Sequence, residues 1–554
     1  MGRRRIVTAG TTLLLLLGLV PLQAGAADSQ PEVTKTDNVT PVGHVPFIGG
    51  SEVDFDGERY LFAGQANLTE DLQRQDVAEG QDGGLRIIDL ETRQQVGMLE
   101  CPGTDNYVRY LDPEVYNTAD GAGEYVAMAH HGNECTRDLL ADDENTGPGY
   151  GAFNGVMIVD VTEKSDPRIA NVVGHDSAHT VMPHPTRPYL YILPGGLANG
   201  TNVPNQRVSP TGIVHVSDPE NPEYVGAFMH NAVGCHDLGF THDGEHAYCA
   251  GFGETQVWDI AGDNIERPQV VGTIVNPAIQ FHHNAVVSPS GQYLVINDEA
   301  FGFHTCTGEA ADLYGSLWIY DISVPEVPVL AGRIAPPDHP DDQGFGTLQD
   351  TGPVNGWADS WCAAHNYNWV PGSDDLIVAS WFAGGVTAHD MSDPMSPELV
   401  AHYMPHDGVA WSGHYYGGYM VTNDMARGVE ILDVPELRDA EREARGEPPH
   451  GRGPDGEGPP GHRDERPGQG GDRGDDRRGN GRSGDAGGSA ASLVSTPLFA
   501  SLLSDWQAAE LPATQGVDAR RDMSDLLIPD ELPPRPAPPR DAQGGGFCAI
   551  PAGG

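Results

Sequence analysis

Residues 211–228 read TGIVHVSDPENPEYVGAF. A glycine opens a short apolar run, an Asp-Pro turn closes it, and a second apolar run carries a Val-Gly pair. Period-two alternation in β-branched and aromatic residues marks both runs as strands, and the Gly and Asp-Pro punctuate their ends. The first run recurs as GGLRIIDL ending at Leu90, NGVMIVDV at Val161, TQVWDI at Ile260, GSLWIYDI at Ile322, GGVTAHDM at Met391 and RGVEILDV at Val434. That makes seven copies of one unit.

Upstream of each core lies another strand ending in a turn, as in EHAYCAG and QYLVIND. A still earlier one precedes most of these, as in HDLGFTHDG from His236 and HNAVVSPSG from His283. Four strands per unit are the content of a propeller blade. The seventh unit lacks its outermost strand, because ELRDAEREARG follows Val434 and apolar periodicity ends there. VTPVGHVPFI, from Val39 to Ile48, resembles that missing strand and has no unit of its own. Pairing the two closes the ring and removes exposed sheet edges. The expected fold is therefore all-β: a seven-bladed β-propeller over residues 38–436, closed by an N-terminal strand.

These cores resemble the LVIVD-repeat family of secreted bacterial propellers, whose repeat is the Gly-to-Asp strand continued by DPxxPxxVG. The resemblance covers the whole body and none of the tail. It implies the fold and assigns no activity, since propellers host many unrelated roles.

With 80 Asp+Glu against 31 Lys+Arg, the 554-residue chain has a formal charge of −49. Its lysines are Lys35 and Lys164 only. Nucleic acid is excluded as a partner, because polyanion affinity comes from Lys and Arg releasing counterions. Residues 1–26 read as a secretory signal: Arg3 to Arg5, the apolar run Leu13 to Val20, and Ala24-Gly25-Ala26, with cleavage before Ala27. No later stretch has the ~20 apolar residues of a membrane span. The mature chain is thus expected to be secreted, with no integral membrane segment and with disulfides permitted. Proximity in the repeat scheme favours Cys101 with Cys135, Cys235 with Cys249 and Cys306 with Cys362. Cys548 is left free or intermolecular. Residues 437–490, rich in Gly, Pro, Arg and Asp, read as a disordered linker. Residues 491–554 read as a mostly disordered tail with an apolar island at 492–510, a short helix either docked or unattached.

Histidine placement carries the functional expectation. In four consecutive units a His opens the innermost strand: His179 in SAHTVMPHP, His236 in GCHDLGFTHDG, His283 in FHHNAVVSPSG and His365 in AAHNYNWVPGS. Such strands start at one mouth of the central channel, so four imidazoles converge on one axis. The ends of the second strands lie beside them and add His130-His131, Glu254, Asn297-Asp298-Glu299 and Asn423-Asp424. Imidazole and carboxylate are first-row metal ligands. The expected metal ligands are His179, His236, His283 and His365, with His131 and His282 next. Asp298 and Glu299 are the candidate proton-moving or ligating carboxylates. The implied cofactor is a transition metal, copper, zinc or iron, and the partner an unknown small molecule or an extracellular partner. Trp411-Ser412 holds the matching register in the last unit. No GxSxG elbow, phosphate loop, HExxH helix or EF-hand spacing is present. A non-catalytic extracellular module binding protein or glycan is the alternative, each His then capping a strand.

Overall fold

Each repeat core alternates its side chains between two neighbours. In the second repeat Met157 and Val159 pack toward the first, while Val156 and Ile158 pack toward the third. Both faces are buried, so the strand reads as a nearly continuous apolar run. The computed structural model describes residues 33–66, 83–101, 109–117, 124–131, 154–175, 178–194, 209–231, 233–300, 306, 314–337 and 362–447. The expected signal at 1–26, the tail beyond 447, Cys135, Cys548 and the side chain of His131 lie outside these.

Seven antiparallel sheets result, written here from the channel outward. Blade 1 is Gly50–Phe55, Tyr60–Gln65, Gly83–Asp89 and Gln94–Cys101; blade 2 is Arg109–Asn117, Glu124–His131, Asn154–Asp160 and Arg168–Gly174. Blade 3 is Thr180–Pro183, Tyr189–Leu193, Thr211–His215 and Glu223–Phe228; blade 4 is Asp237–Phe240, His246–Gly251, Glu254–Asp259 and Gln269–Ile274. Blade 5 is His282–Val287, Tyr293–Asp298, Leu317–Asp321 and Val329–Ile334; blade 6 is Tyr367–Trp369, Leu376–Ser380, Val386–Asp390 and Glu398–Pro405. Blade 7 is Ala410–Tyr416, Tyr419–Asp424 and Gly428–Asp433, completed by Thr40–Pro46 from the N-terminus. An apolar cluster fills each boundary between neighbouring blades, including the one between blades 7 and 1, where Val429 and Ile431 meet Leu61 and Ile88.

The closing strand is the expected one, with Thr40 opposite Asp433 and Pro46 opposite Gly428. Two features differ from the sequence expectation. Val33–Lys35 adds a fifth strand to blade 6, Val33 lying opposite Pro405, so the N-terminal segment covers the edges of two blades. The chain also continues past residue 436, where the linker was expected to begin, as the helix Pro435–Ala444. Leu437 is fully buried in the cluster between blades 6 and 7, and Glu441 accepts the Tyr415 hydroxyl at 2.8 Å. One buried turn of apolar contact is too short to show as a period in the sequence.

The recurring Asp terminates its strand. Asp89, Asp160, Asp259, Asp321 and Asp390 each accept the backbone N–H two residues ahead, at 2.8–2.9 Å, the Asx geometry that turns the chain. The recurring Val-Gly joins blades. Outer-strand Gly97, Gly226, Gly272 and Gly332 each sit beside a register shift against the third strand. There the backbone approaches the turn of the following blade. A Cβ on Gly97 would stand 1.8 Å from the Lys164 carbonyl oxygen, and one on Gly332 1.6 Å from that of Pro394. At Gly272 the gap to the Glu326 oxygen would be 2.9 Å, and at Gly226 that to Glu266 would be 3.4 Å. The two halves of DPxxPxxVG therefore meet across a blade boundary.

Disulfides join Cys235 to Cys249 and Cys306 to Cys362, two of the expected pairs. Cys101 is also disulfide-bonded. No helix among the described residues is long and apolar enough to cross a membrane.

Gly97→Ala and Gly332→Ala should each cost ~1–3 kcal/mol or more by overpacking, whereas Gly226→Ala should stay within ~0.5 kcal/mol of wild type; urea unfolding midpoints test this order. Deleting residues 33–46 should sharply lower the melting temperature, and an unchanged value contradicts the closure.

Candidate metal centre

The inner-strand histidines share one backbone register. The N–H of His179 donates to Leu193 O at 2.7 Å, that of His236 to Ala250 O at 2.6 Å and that of His365 to Ser380 O at 3.0 Å. Each acceptor lies at the end of the second strand of the same blade. His283 sits in a register shift between His282 and Ala285, yet its ring joins the series. Ring centroids are separated by 4.3 Å from His179 to His236, 4.1 Å from His236 to His283 and 4.4 Å from His283 to His365. The four side chains thus form a continuous arc across blades 3 to 6. His236, His283 and His365 are buried and His179 is half-buried.

Glu299 completes one edge. Its Oε2 lies 3.6 Å from His283 Nε2, and His236, His283 and Glu299 bring one ligand atom each within 4.8 Å of one another. A metal with bonds of ~2.0–2.2 Å to N and O needs these atoms drawn somewhat closer, which side-chain rotation supplies. The donor set of two imidazoles and a carboxylate suits a first-row ion. Burial pushes Glu299 up to about 8, with the nearby Asp298 adding to the rise. Burial, and then the imidazoles of His236, His365 and His179, hold His283 well below the ordinary histidine value. Burial likewise lowers His365 to about 3. Both rings are neutral, the form that ligates metal.

Supporting contacts orient the arc. His365 Nδ1 lies 2.7 Å from Trp411 O. A carbonyl only accepts, so Nδ1 carries the proton and Nε2 keeps its lone pair, as backbone carbonyls set the tautomer of metal-ligating histidines elsewhere. Glu52 holds the other end of Trp411, accepting its Nε1–H at 2.7 Å. Glu52 Oε1 is also 3.9 Å from His365 Nδ1. Phe281 lies 5.2 Å and Phe252 6.1 Å from the His236 ring, and Phe382 lies 4.6 Å from His365. Phe252 and Phe382 have φ of 59° and 46°. Left-handed backbone at a bulky residue costs ~1–3 kcal/mol and persists where the surroundings over-determine it. Here it places two rings against the imidazoles.

The remaining sequence candidates are placed differently. His282 is fully buried, but its Nδ1 pairs with Thr255 Oγ1 at 2.9 Å and its ring is not part of the arc. Asp298 organises the loop, and burial pushes its carboxyl up to about 6. Its Oδ1 accepts the N–H groups of Gln280, Phe281 and Ala300 at 3.0 Å, and its Oδ2 that of Gly315 at 2.9 Å. Neighbouring Asn297 stitches blade 5 to blade 6, donating to Ala364 O and His365 O at 2.8 Å. Blade 7 repeats the device: Asn423 donates to Glu52 O at 3.1 Å and Gly64 O at 2.9 Å, and Asp424 accepts from Ala426 and Arg427. Of the Asn-Asp pairs read in sequence as mouth groups, Asn297 and Asn423 therefore join blades, while Asp298 and Asp424 hold backbone beside their own blade. Glu52, Phe252, Phe281 and Phe382 were missed. Glu52 was accessible to an alignment of inner-strand starts. Phe252 and Phe382 gave only the GFG and WFAGG tips as a signal, and Phe281 only its place before His282-His283.

No protein-family model matches the sequence, and neither does any curated protein. Among solved structures, the chain is similar to the β-propeller domain of Myceliophteria thermophila Cps50 (Swd1), with 10% identity and a TM-score of 0.43 over 71% of this chain and 98% of that one. Chaetomium thermophilum Raptor gives 10% identity and a TM-score of 0.44, over 73% of this chain and 29% of its own. A chain of the mitotic checkpoint complex gives 12% and 0.42, over 75% and 98%. At these values the likeness says nothing of activity, and the propeller rests on its own strand pairing.

Asn297→Ala and Asn423→Ala each leave two carbonyls without their donor and should cost ~1–3 kcal/mol. Denaturant unfolding measures it, and a loss under ~0.5 kcal/mol in both contradicts the stitching role.

Proposed function

We propose that this chain is a secreted propeller of the LVIVD-repeat type that holds a transition metal ion at its channel mouth and acts there on a small molecule, by redox chemistry. The observation that carries the reading is the buried group of His236, His283 and Glu299 within a four-imidazole arc. Export is supported by the N-terminal signal pattern and by the two disulfides.

His236, His283 and Glu299 would hold the ion, with the Nε2 of His365 next to them. A bound ion of this kind supplies Lewis acidity and, for copper or iron, electron transfer. The chain's own residues do the rest. Trp411 O keeps His365 in the tautomer that presents Nε2. Phe252, Phe281 and Phe382 exclude water from one side of the arc, which strengthens every electrostatic contact within it. His179 is the half-buried member of the arc and so the imidazole most exposed to a substrate.

Untagged protein analysed by plasma emission should carry about one copper, zinc or iron per chain, and His236→Ala with His283→Ala should reduce that at least tenfold while the melting transition persists. Metal-free protein that stays folded would refute this reading and favour the alternative of a non-catalytic module for protein or glycan.

A further inference from the structure

Each third strand begins at the imidazole mouth and runs away from it, so the turn that follows lies on the opposite rim. In blades 3 and 6 this turn reads SDPENPEYVG from Ser217 and SDPMSPELVA from Ser392. Three of its exposed positions are polar in both: Asp218, Asn221 and Glu223 in one, Asp393, Ser396 and Glu398 in the other. Blade 2, TEKSDPRIAN from Thr162, is charged at the same three. Blade 5 reads SVPEVPVLAG from Ser323 and carries valine at every one. Val324, Val327 and Val329 are 54%, 62% and 60% exposed, and the adjoining Leu330 is exposed as well.

The apolar surface crosses two blade boundaries. The blade 5 turn packs against the outer strand of blade 4, where a Cβ on Gly272 would stand 2.9 Å from Glu326 O, and Val271 next to that glycine is exposed. The blade 6 turn packs against the outer strand of blade 5 at Gly332 and Pro394, and it carries Met395, 81% exposed, with Leu399 following on its own outer strand. Glu326, the acid inside the valine run, faces blade 4 at 3.5 Å from His246 Nε2. Val329–Ile334 is also the outermost strand of its sheet, an edge that folded proteins commonly guard with charge. At ~60–120 Å² for an aliphatic side chain, the exposed fractions leave roughly 400 Å² of apolar surface, a size at which a patch on a monomer commonly serves a contact.

Charge selects what covers it. The chain carries −49, which repels an anionic lipid surface and draws a basic protein to acidic faces rather than to this uncharged one. A second copy presents the same patch, and a twofold axis sets apolar against apolar with no opposite charge required. With apolar groups at about 60% of an interface, two such patches correspond to roughly 1,300 Å² in total, within the range of specific complexes.

We infer that the blade 5 rim, flanked by Val271 of blade 4 and Met395 of blade 6, is the twofold interface of a homodimer. It lies at the end of the ring away from the metal group and does not depend on that group being filled.

Sedimentation equilibrium of the full-length protein tests it. The mass should be that of two chains, and association should tighten between ~0.1 and ~1 M NaCl as repulsion between the like-charged copies is screened. Val324→Asp, Val327→Asn and Val329→Glu together, the residues that blade 3 carries, should raise the dimer dissociation constant at least tenfold, with circular dichroism reading whether the chain is folded. If that variant does not fold, Met395→Glu alone carries the same reading, with a rise of at least threefold. A monomer at every concentration overturns the proposal, and its flotation with phosphatidylcholine vesicles would assign the patch to a lipid surface. A dimer that the folded variant leaves intact, or that salt dissociates, overturns it too, by placing the contact on another face.

Discussion

Everything in this molecule depends on one antiparallel pairing, that of Thr40–Pro46 with Gly428–Asp433. Six blades and three strands arrive in sequence order, but a ring needs its last blade to meet its first. The N-terminal strand gives blade 7 an outer edge partner, and Val45 and Phe47 join the apolar cluster shared by blades 7 and 1. The pairing covers the outer edge that blade 7 would otherwise expose. Within the ring, consecutive imidazoles of blades 3 to 6 stand 4.1–4.4 Å apart.

Two stitches hold neighbouring blades at different radii. At the rim, an outer-strand glycine lets the next blade's turn carbonyl come so close that a methyl group has no room, as at Gly97 and Gly332. At the mouth, Asn297 and Asn423 reach across to backbone carbonyls of the following blade. The first works by shape and the second by hydrogen bonding, and both act where the blades' apolar faces end. The Asn297 stitch runs directly to His365 O, so the scaffold and the candidate site share a hydrogen bond. The half-cystines Cys235 and Cys362 stand one and three residues before His236 and His365. Covalent anchoring thus falls just upstream of two of the four rings.

The candidate site gathers titratable groups that burial keeps uncharged. Neutral, buried imidazoles crowd together because none carries charge, and Glu299 is pushed up by the same burial. Left-handed Phe252 and Phe382 add backbone strain at the same mouth. Sites that break local rules in this way are where function is commonly found.

The repeat made the fold readable: seven Gly-to-Asp cores, the DPxxPxxVG continuation and the orphan strand near the N-terminus specify blade number and closure, because each is local chemistry written along the chain. Register placed four histidines at one mouth for the same reason. The fifth strand on blade 6 and the helix at Pro435–Ala444 were not legible, since the first is a three-residue backbone ladder and the second is held by one short buried contact, neither with a period. Nor could sequence separate the partners of one short motif: Asp298 accepts from backbone, Asn297 donates to two carbonyls and lies 3.3 Å from His283 Nδ1, and adjacent Glu299 faces His283 Nε2. Sequence by itself determined which residues recur and which face they share. Tertiary structure alone decided which side chains meet across blades, because those contacts join residues tens to hundreds of positions apart, and only ring closure sets their distance.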